Sequence, residues 1–519
     1  MTATDLIEYS RLKVQRSIDS AKLQVDRNRL GQFATPTVLA MEMLDYAKSL
    51  LPPSLKIRFI DPAFGTGSFY SALLRTFPKS RIVESAGYEI DSTYGSAANQ
   101  LWQGTSIRLH VVDFTRVKPP EIDANRFNLL ICNPPYVRHQ HLTSEEKLRL
   151  TKLVEETIGL RLNGLAGFYC YYLCLSHRWM AHGGLAGWLI PSEFMDVNYG
   201  KELKQYLLNH VMLLRIHRFD PNDIQFEDAF VSSAMVWFRK ERPPPEHTVE
   251  FTYGGTLLKP AVSRYIPTNV LRNTAKWTNF PLTSWSEVVG QAQTRLRDLF
   301  EIKRGLATGA NDFFVLTPEE AARHDLPSEF LKPVIPPPRY LTVDEIYADN
   351  LGGPIVNHKF LVLSCSLPEA IVKKNYPSVW RYLQTGIEAG IDKRYICQHR
   401  SPWYSQENRP PAPFLCPIIG RQSSKRARPF RFILNHSCGT ATNVYSMLYP
   451  KPAMKKTLED DNRAVRTIWE TLNSIPSSIL LKEGRVYGGG MYKLEPGELG
   501  KVPADSVMVA IQSKCSTKS

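Results

Sequence analysis

The apolar run Phe127-Asn128-Leu129-Leu130-Ile131-Cys132 stops at Asn133-Pro134-Pro135-Tyr136, and no other stretch narrows the possible folds as much. A short run rich in Leu, Ile and Phe suits a buried strand. Two consecutive prolines end it, because their rings fix φ, remove two backbone donors and hold the preceding residue extended. The C-terminal edge of the strand then presents the amide of Asn133, the bare carbonyl of Pro134 and the aromatic face of Tyr136. In a doubly wound α/β sheet, that edge is where ligands bind. An amide oxygen and a carbonyl aimed at one point can accept two hydrogens from a planar amine, with a ring stacked on its base. The alternative is a loop that merely caps a strand, and the partner motifs below weigh against it.

Strand-like runs at residues 56–60, 85–90, 107–112, 127–132, 186–190, 213–218 and 232–238 alternate with helical stretches at 67–76, 92–101, 168–180 and 199–209. Alternation of this kind, with continuous apolar strands, predicts a seven-stranded, mainly parallel sheet covered on both faces. The last two strands are joined by a loop, which suits an antiparallel hairpin at the sheet end. Residues 1–30 read as a charged helix, and a second helix starts near Thr37. At Glu241-Arg242-Pro243-Pro244-Pro245 the pattern breaks into Pro-rich, basic and irregular sequence. Residues 1–245 are therefore expected to form an α/β catalytic domain, 246–295 a connector and 296–519 a second domain of mixed α/β type. No internal repeat or long low-complexity tract is present.

The chain of 519 residues is 43% hydrophobic, enough for sizeable cores, and carries a net charge of +14 with a pI near 9.3. That excess implies a polyanionic partner, most often nucleic acid. A membrane is not expected, since the sequence has no long apolar span and its first thirty residues are polar and amphipathic. Eight cysteines spread over this length suggest a reducing, cytoplasmic setting. Cys170 and Cys174, one helical turn apart among aromatics, read as core. Cys397-Gln398-His399 and His436-Ser437-Cys438 could together supply four zinc ligands, although their spacing matches no known finger pattern.

Asp61-Pro62-Ala63-Phe64-Gly65-Thr66-Gly67-Ser68 follows the first strand and opens a helix. Its glycines let the backbone approach a ligand closely. A Walker lysine is missing and an acid stands at the strand end, so a phosphate loop is excluded. Such a carboxylate would repel a pyrophosphate and attract the ammonium of an amino-acid-bearing cofactor. Glu89 ends the second strand, where it could accept both ribose hydroxyls, and Asp113-Phe114 ends the third, where an acid and a ring could receive an adenine. Taken singly, each acid reads as a helix cap or turn residue; three successive strands each ending in an acid is a stronger signal. Gly31-Gln32-Phe33-Ala34-Thr35-Pro36 precedes the second helix, with Thr35 as its expected cap and Pro36 at its first position.

With these motifs in this order, the first half of the chain resembles the S-adenosylmethionine-dependent amino-methyltransferases acting on DNA. More closely, it is similar to the gamma group of adenine-N6 enzymes of type II restriction–modification systems, of the TaqI and PstI kind. Residues 31–36, 61–69, Glu89, Asp113-Phe114 and 133–136 carry the likeness, with 168–172, Gly183-Gly184 and Gln225-Phe226 fitting the later motifs. Less specifically, Lys303-Arg304-Gly305, Gly309-Ala310-Asn311-Asp312 and residues 488–496 are similar to the target-recognition domain of PstI-like enzymes. The resemblance implies a Rossmann-like S-adenosylmethionine domain followed by a DNA target-recognition domain. It implies that Thr35, Asp61, Ala63, Gly65, Gly67, Glu89, Asp113, Phe114 and Tyr172 bind S-adenosylmethionine. It further implies that Asn133, Pro134 and Tyr136 are catalytic, and that Phe226 stacks with Tyr136 on a flipped base; Phe230 is close enough to be confused with Phe226.

An adenine amine is a poor nucleophile because its lone pair is delocalised into the ring, and accepting both its hydrogens frees that pair. No metal is required. A cytosine-C5 enzyme needs a Pro-Cys nucleophile, which this chain lacks. Cytosine-N4 enzymes usually carry Ser or Thr where Asn133 stands, so adenine is favoured. Lys303, Arg304, Lys425, Arg426 and Arg428 are candidate DNA contacts, although such runs are as often a solvated face. Duplex DNA is the expected partner and a monomer is expected; a cognate restriction endonuclease acting on the same site is a candidate second partner whose existence the sequence does not reveal. The alternatives are an RNA adenine-N6 methyltransferase, a protein-glutamine methyltransferase, or a non-catalytic DNA-binding protein on the same fold.

Overall fold

In the computed structural model, which describes residues 3–220, 233–282, 294–421, 428–452, 454–455, 458, 462–487 and 491–509, the chain divides into two units. One comprises residues 1–290 with 487–489, and the other residues 291–486 with 490–519.

The first unit is built on strands β1 (Ile57–Asp61), β2 (Ile82–Glu89), β3 (Ile107–Val111), β4 (Phe127–Cys132), β5 (Met180–Pro191), β6 (Met212–Arg218), β7 (Ser233–Arg239), β8 (Thr248–Gly255) and β9 (Pro260–Pro267). They form one sheet in the order β3-β2-β1-β4-β5-β7-β6-β8-β9. The run from β3 to β5 is parallel throughout. Strand β7 inserts antiparallel between β5 and β6. The expected antiparallel pair of β6 and β7 is therefore present, but it does not end the sheet. Strand β8 adds parallel to β6, and β9 adds antiparallel to β8. The sheet thus carries two strands beyond the seven expected, both from residues that read in sequence as connector. The pattern Thr248-Val249-Glu250-Phe251 alternates as a strand with one covered face should: Val249 and Phe251 are fully buried.

Alternation along β4 explains the two cores. Leu130 and Cys132 point to one face, where they meet α6 (Ser144–Ile158), α7 (Phe168–Leu175) and α8 (Lys201–Asn209). Leu129 and Ile131 point to the other, toward α3 (Thr37–Leu50), α4 (Ser68–Thr76) and α5 (Ser92–Leu101). Helix α6 was not apparent from the apolar pattern, yet its ends carry clear signals. Thr143 accepts from the Glu146 N–H at 3.2 Å, and Gly159 closes the helix with φ +72°. Leu150, Val154 and Ile158, four residues apart, form its buried stripe. The expected charged helix at the N-terminus is α1 (Ala3–Ala21), followed by a short α2 (Gln24–Leu30). Among the described residues, no helix is long and apolar enough to cross a membrane.

The second unit is a mixed α/β assembly of small sheets. Phe300–Arg304, Tyr445–Pro450, Phe414–Pro417, Ile433–Asn435 and Glu345–Ile346 form a five-stranded sheet, and Val315–Leu316, Phe360–Leu363, Leu331–Ile335 and Thr440–Ala441 a four-stranded one. Helices at Pro377–Glu388 and Asn462–Ser474 pack among separate apolar clusters.

Candidate active site

Strand order reverses between β1 and β4, which lie side by side with Ile60 opposite Leu130. Asp61 and Asn133 therefore leave adjacent strand ends at the switch point of the sheet, the position where such sheets take ligands.

The turn after β1 needs its glycines. Gly67 sits at φ +91°, and a Cβ there would lie 2.5 Å from the indole nitrogen of Trp102. Gly87 in β2 lets the ring of Phe64 settle on the strand, where a Cβ would meet it at 2.4 Å. Asp61 is buried; one carboxylate oxygen accepts from the Ala63 N–H at 3.1 Å, and the other, Oδ2, has no partner among the described residues. Burial pushes its pKa up to about 8, against the Ala63 N–H and with the charge of Glu89. Glu89 accepts from the Gly65 N–H and from the Asp91 N–H, both at 2.8 Å, and burial raises it as well. Asp113 caps the turn Phe114–Arg116, accepting from the Thr115 N–H at 2.9 Å, and pairs with Arg116 at 3.2 Å. The turn-cap role expected of a lone acid is thus filled at Asp113. Phe114 is buried, 5.4 Å from Tyr88, 5.0 Å from Trp179 and 5.6 Å from Tyr172. Tyr172 in turn meets Phe168 edge-on at 5.0 Å.

At the tip of β4, Asn133 Nδ2 donates to the Phe33 carbonyl at 3.1 Å and to Thr35 Oγ1 at 3.2 Å. Its Oδ1 is buried and has no partner among the described residues. Tyr136 is buried; its hydroxyl donates to the Leu189 carbonyl at 2.9 Å, and its ring lies 5.8 Å from that of Phe33. The Tyr136 N–H donates to the Gly31 carbonyl at 3.3 Å. Gly31 has φ +65°, and a Cβ there would sit 2.2 Å from the Tyr136 nitrogen. Residues 31–36 are thereby seated on the loop that holds Asn133. Thr35 does not cap α3: the cap position is Pro36, without a side-chain hydrogen bond. The Thr35 hydroxyl turns to Asn133 instead.

A feature not anticipated from the sequence is the polar face of α1. Arg11, 1% exposed, donates to Glu8 at 2.8 and 2.7 Å, to Thr66 at 3.1 Å and to Thr37 at 3.2 Å. Thr66 in turn donates to Gln15 at 2.6 Å. One helix therefore ties the turn after β1 to the start of α3. Glu8 and Arg11 at helical spacing were the available signal, but their burial is not visible in sequence.

Other candidates stand apart. Phe226, Phe230, Lys425 and Arg426 lie outside the described residues. In the second unit Lys303 pairs with Glu301 at 2.7 Å, Arg304 pairs with Glu495, and Arg428 donates to the Asn473 carbonyl. Lys303 and Arg304 remain 44% and 43% exposed. The Cys397 thiol is buried against the Thr308 carbonyl, His399 bonds the Tyr395 carbonyl at 2.7 Å, and His436 bonds Glu345 at 3.1 Å. Among the described residues, no three His, Cys, Asp or Glu side chains gather to hold a metal ion.

The family model of the Eco57I restriction-modification methylase matches residues 80–225, and that of the C-terminal domain of the type II methyltransferase M.Eco57I matches residues 275–518. The chain is 24% identical over 504 residues to the type II methyltransferase M.AccI of Acinetobacter calcoaceticus, covering 92% of this chain and 85% of that protein. It is 28% identical over 489 residues to the type II methyltransferase M.XamI of Xanthomonas campestris pv. amaranthicola, covering 92% and 86%. Among solved structures, the type IIL restriction-modification enzyme MmeI in complex with DNA matches with a TM-score of 0.54 at 13% identity, over 94% of this chain and 76% of that one. A DrdV–DNA complex matches with a TM-score of 0.51 at 12% identity, over 88% and 55%. At these identities the two structures speak for the fold.

Proposed function

We propose, from the premise that the chain belongs to the type II restriction–modification methyltransferases, that it methylates adenine N6 of a base turned out of duplex DNA, with S-adenosylmethionine as donor. In this reading it is the modification member of a restriction–modification system. The observation that carries it is Asn133 Oδ1, a buried acceptor at the tip of β4 with no partner among the described residues. Burying an acceptor unpaired costs about 1–3 kcal/mol, and a substrate amine would offset that cost.

Another buried oxygen with no partner among the described residues, Asp61 Oδ2, fits the ammonium of the cofactor's methionine. Glu89 would receive the ribose, Asp113 and Phe114 the adenine, with Tyr172 lining that pocket and Ala63, Gly65 and Gly67 bringing the backbone close. Bound there, S-adenosylmethionine would supply an electrophilic methyl on a sulfonium. The protein's own part is chiefly positional. Asn133 Oδ1 and the Pro134 carbonyl accept the two amine hydrogens, which favours a pyramidal nitrogen with its lone pair free. Tyr136, its hydroxyl tied to the Leu189 carbonyl, offers a ring of fixed orientation to the extruded base. Phe226 would close the other side. The net charge of +14 suits a polyanion, and the MmeI and DrdV structures both contain DNA.

The test is transfer of labelled methyl from S-adenosylmethionine to unmodified duplex DNA, followed by nucleoside analysis. Label in N6-methyladenine is expected. Label in N4-methylcytosine, or in RNA but not DNA, overturns the reading.

A further inference from the structure

We propose that Thr35 is a positioning residue for catalysis, one that holds the Asn133 amide in place with its oxygen toward the substrate. The inference rests on the proposed methyl transfer and deepens it.

An asparagine amide is nearly symmetric in shape, and its two orientations are told apart only by hydrogen bonding. At this site the difference is decisive. With Oδ1 outward, the amide accepts a hydrogen from the substrate amine; with Nδ2 outward, it would set donor against donor. The Phe33 carbonyl at 3.1 Å, which can only accept, fixes the choice, and Thr35 Oγ1 at 3.2 Å receives the same Nδ2. Turning the amide over would place Oδ1 against the carbonyl of Phe33, a lone pair against a lone pair. The Phe33 carbonyl, which has no proton to give, takes one Nδ2 hydrogen and sets the orientation; Thr35 takes the other and holds the amide against rotation about its last torsion.

The placement of Thr35 supports this. It is 7% exposed, and it has no cap to make, since Pro36 takes the cap position of α3. The segment that carries it cannot drift, because Gly31 lies against the backbone of Pro135 and Tyr136 and receives the Tyr136 N–H. The acceptor and the loop it orients are thus fastened together at two points. Family resemblance gives Thr35 to the methionine end of the cofactor, whereas the geometry points to Asn133.

The experiment separates the two roles. Thr35→Val keeps the shape and removes the acceptor; Thr35→Ser restores a hydroxyl. Turnover at saturating S-adenosylmethionine and the Kd of the cofactor are measured for each, alongside the melting temperature. Thr35→Val should lower kcat by about tenfold, the size of one lost hydrogen bond in the transition state, with the cofactor Kd within about twofold of wild type. Thr35→Ser should recover most of kcat. If Thr35→Val melts early, Thr35→Ala makes the same comparison without the extra methyl. A raised cofactor Kd with kcat unchanged at saturation overturns the inference, as does a wild-type kcat in both variants. Wild-type protein that transfers no methyl to DNA removes the proposed function itself, and this inference with it.

Discussion

The polar atoms at the tips of β1 and β4 and the cations of the second unit are held in opposite ways. Asp61 Oδ2 and Asn133 Oδ1 are buried with no partner among the described residues, fixed by backbone and side-chain bonds to their other atoms. Lys303, Arg304 and Arg428 are in part exposed and already engaged by Glu301, Glu495 and the Asn473 carbonyl. A buried unpaired acceptor costs stability until a ligand arrives, so it marks a place for one specific group. Exposed ion pairs are worth about 0–1 kcal/mol, so those cations can exchange partners at little cost. The first arrangement suits chemistry on one atom, the second a polyanion whose charges repeat.

The hardest blow to this contrast should come from Asn133→Ala. Loss of about 100- to 1000-fold in kcat is expected, with cofactor and DNA affinity largely kept; steady-state turnover beside direct binding measures both. Normal turnover would reduce the unpaired oxygen to a structural accident.

Next in size is the pH response of Asp61. Burial raises its pKa to about 8, so below that pH the carboxyl holds a proton until a cation sits beside it. Cofactor affinity should therefore climb, by up to about tenfold per pH unit, as pH rises toward about 8, and then level off. Binding in the lower range should release a proton, seen by calorimetry in buffers of different ionisation heat. For the free protein the sign reverses. The folded pKa lies above the ordinary 3.8, so this group's contribution to stability is full below that value and is lost as pH rises through about 8.

A smaller effect compares two glycines. Gly65 has φ +55° with nothing within 4 Å of a would-be Cβ, whereas Gly31 at φ +65° has the Tyr136 nitrogen at 2.2 Å. Gly65→Ala should cost about 1–2 kcal/mol in thermal melts, the price of a left-handed backbone. Gly31→Ala should cost more and lower kcat too; equal melts would show that the two loops are not fastened.

The smallest change is expected at Lys303. Replacing it by Ala should weaken DNA binding a few-fold and reduce the salt slope by about 0.9 if it meets one phosphate. An unchanged slope would leave it as a solvated face.

How much of this was legible follows from how local each signal is. Residues 127–136 declare both a strand and its end within ten positions, and the acids at 61 and 89 each close a strand, with Asp113 two residues past the end of a third. Helix α6 was legible only through its caps at Thr143 and Gly159. The partnership of Thr35 with Asn133 spans 98 positions, and capping chemistry next to Pro36 offered a plausible local competitor. Strands β8 and β9 were hidden by the proline run before them. In the second unit, Phe300–Arg304 pairs with Tyr445–Pro450 and Glu345–Ile346 with Ile433–Asn435. Strands of two to six residues that meet partners so distant leave little periodicity to read. No local pattern announced which of its cations are free to meet DNA.

Strand β9 has one more bearing on the molecule. Proline stands at both of its ends, Pro260 and Pro267, and Arg264 and Tyr265 are exposed along it. Such an outermost strand is a poor template for a neighbour's backbone. Cutting the chain at the proline run near residue 245 would strip it away together with β8. The row of Arg215 to Arg218, now paired with Glu250 to Tyr253, would become a bare margin. The shortened protein would keep every reactive group and would be prone to clump with copies of itself.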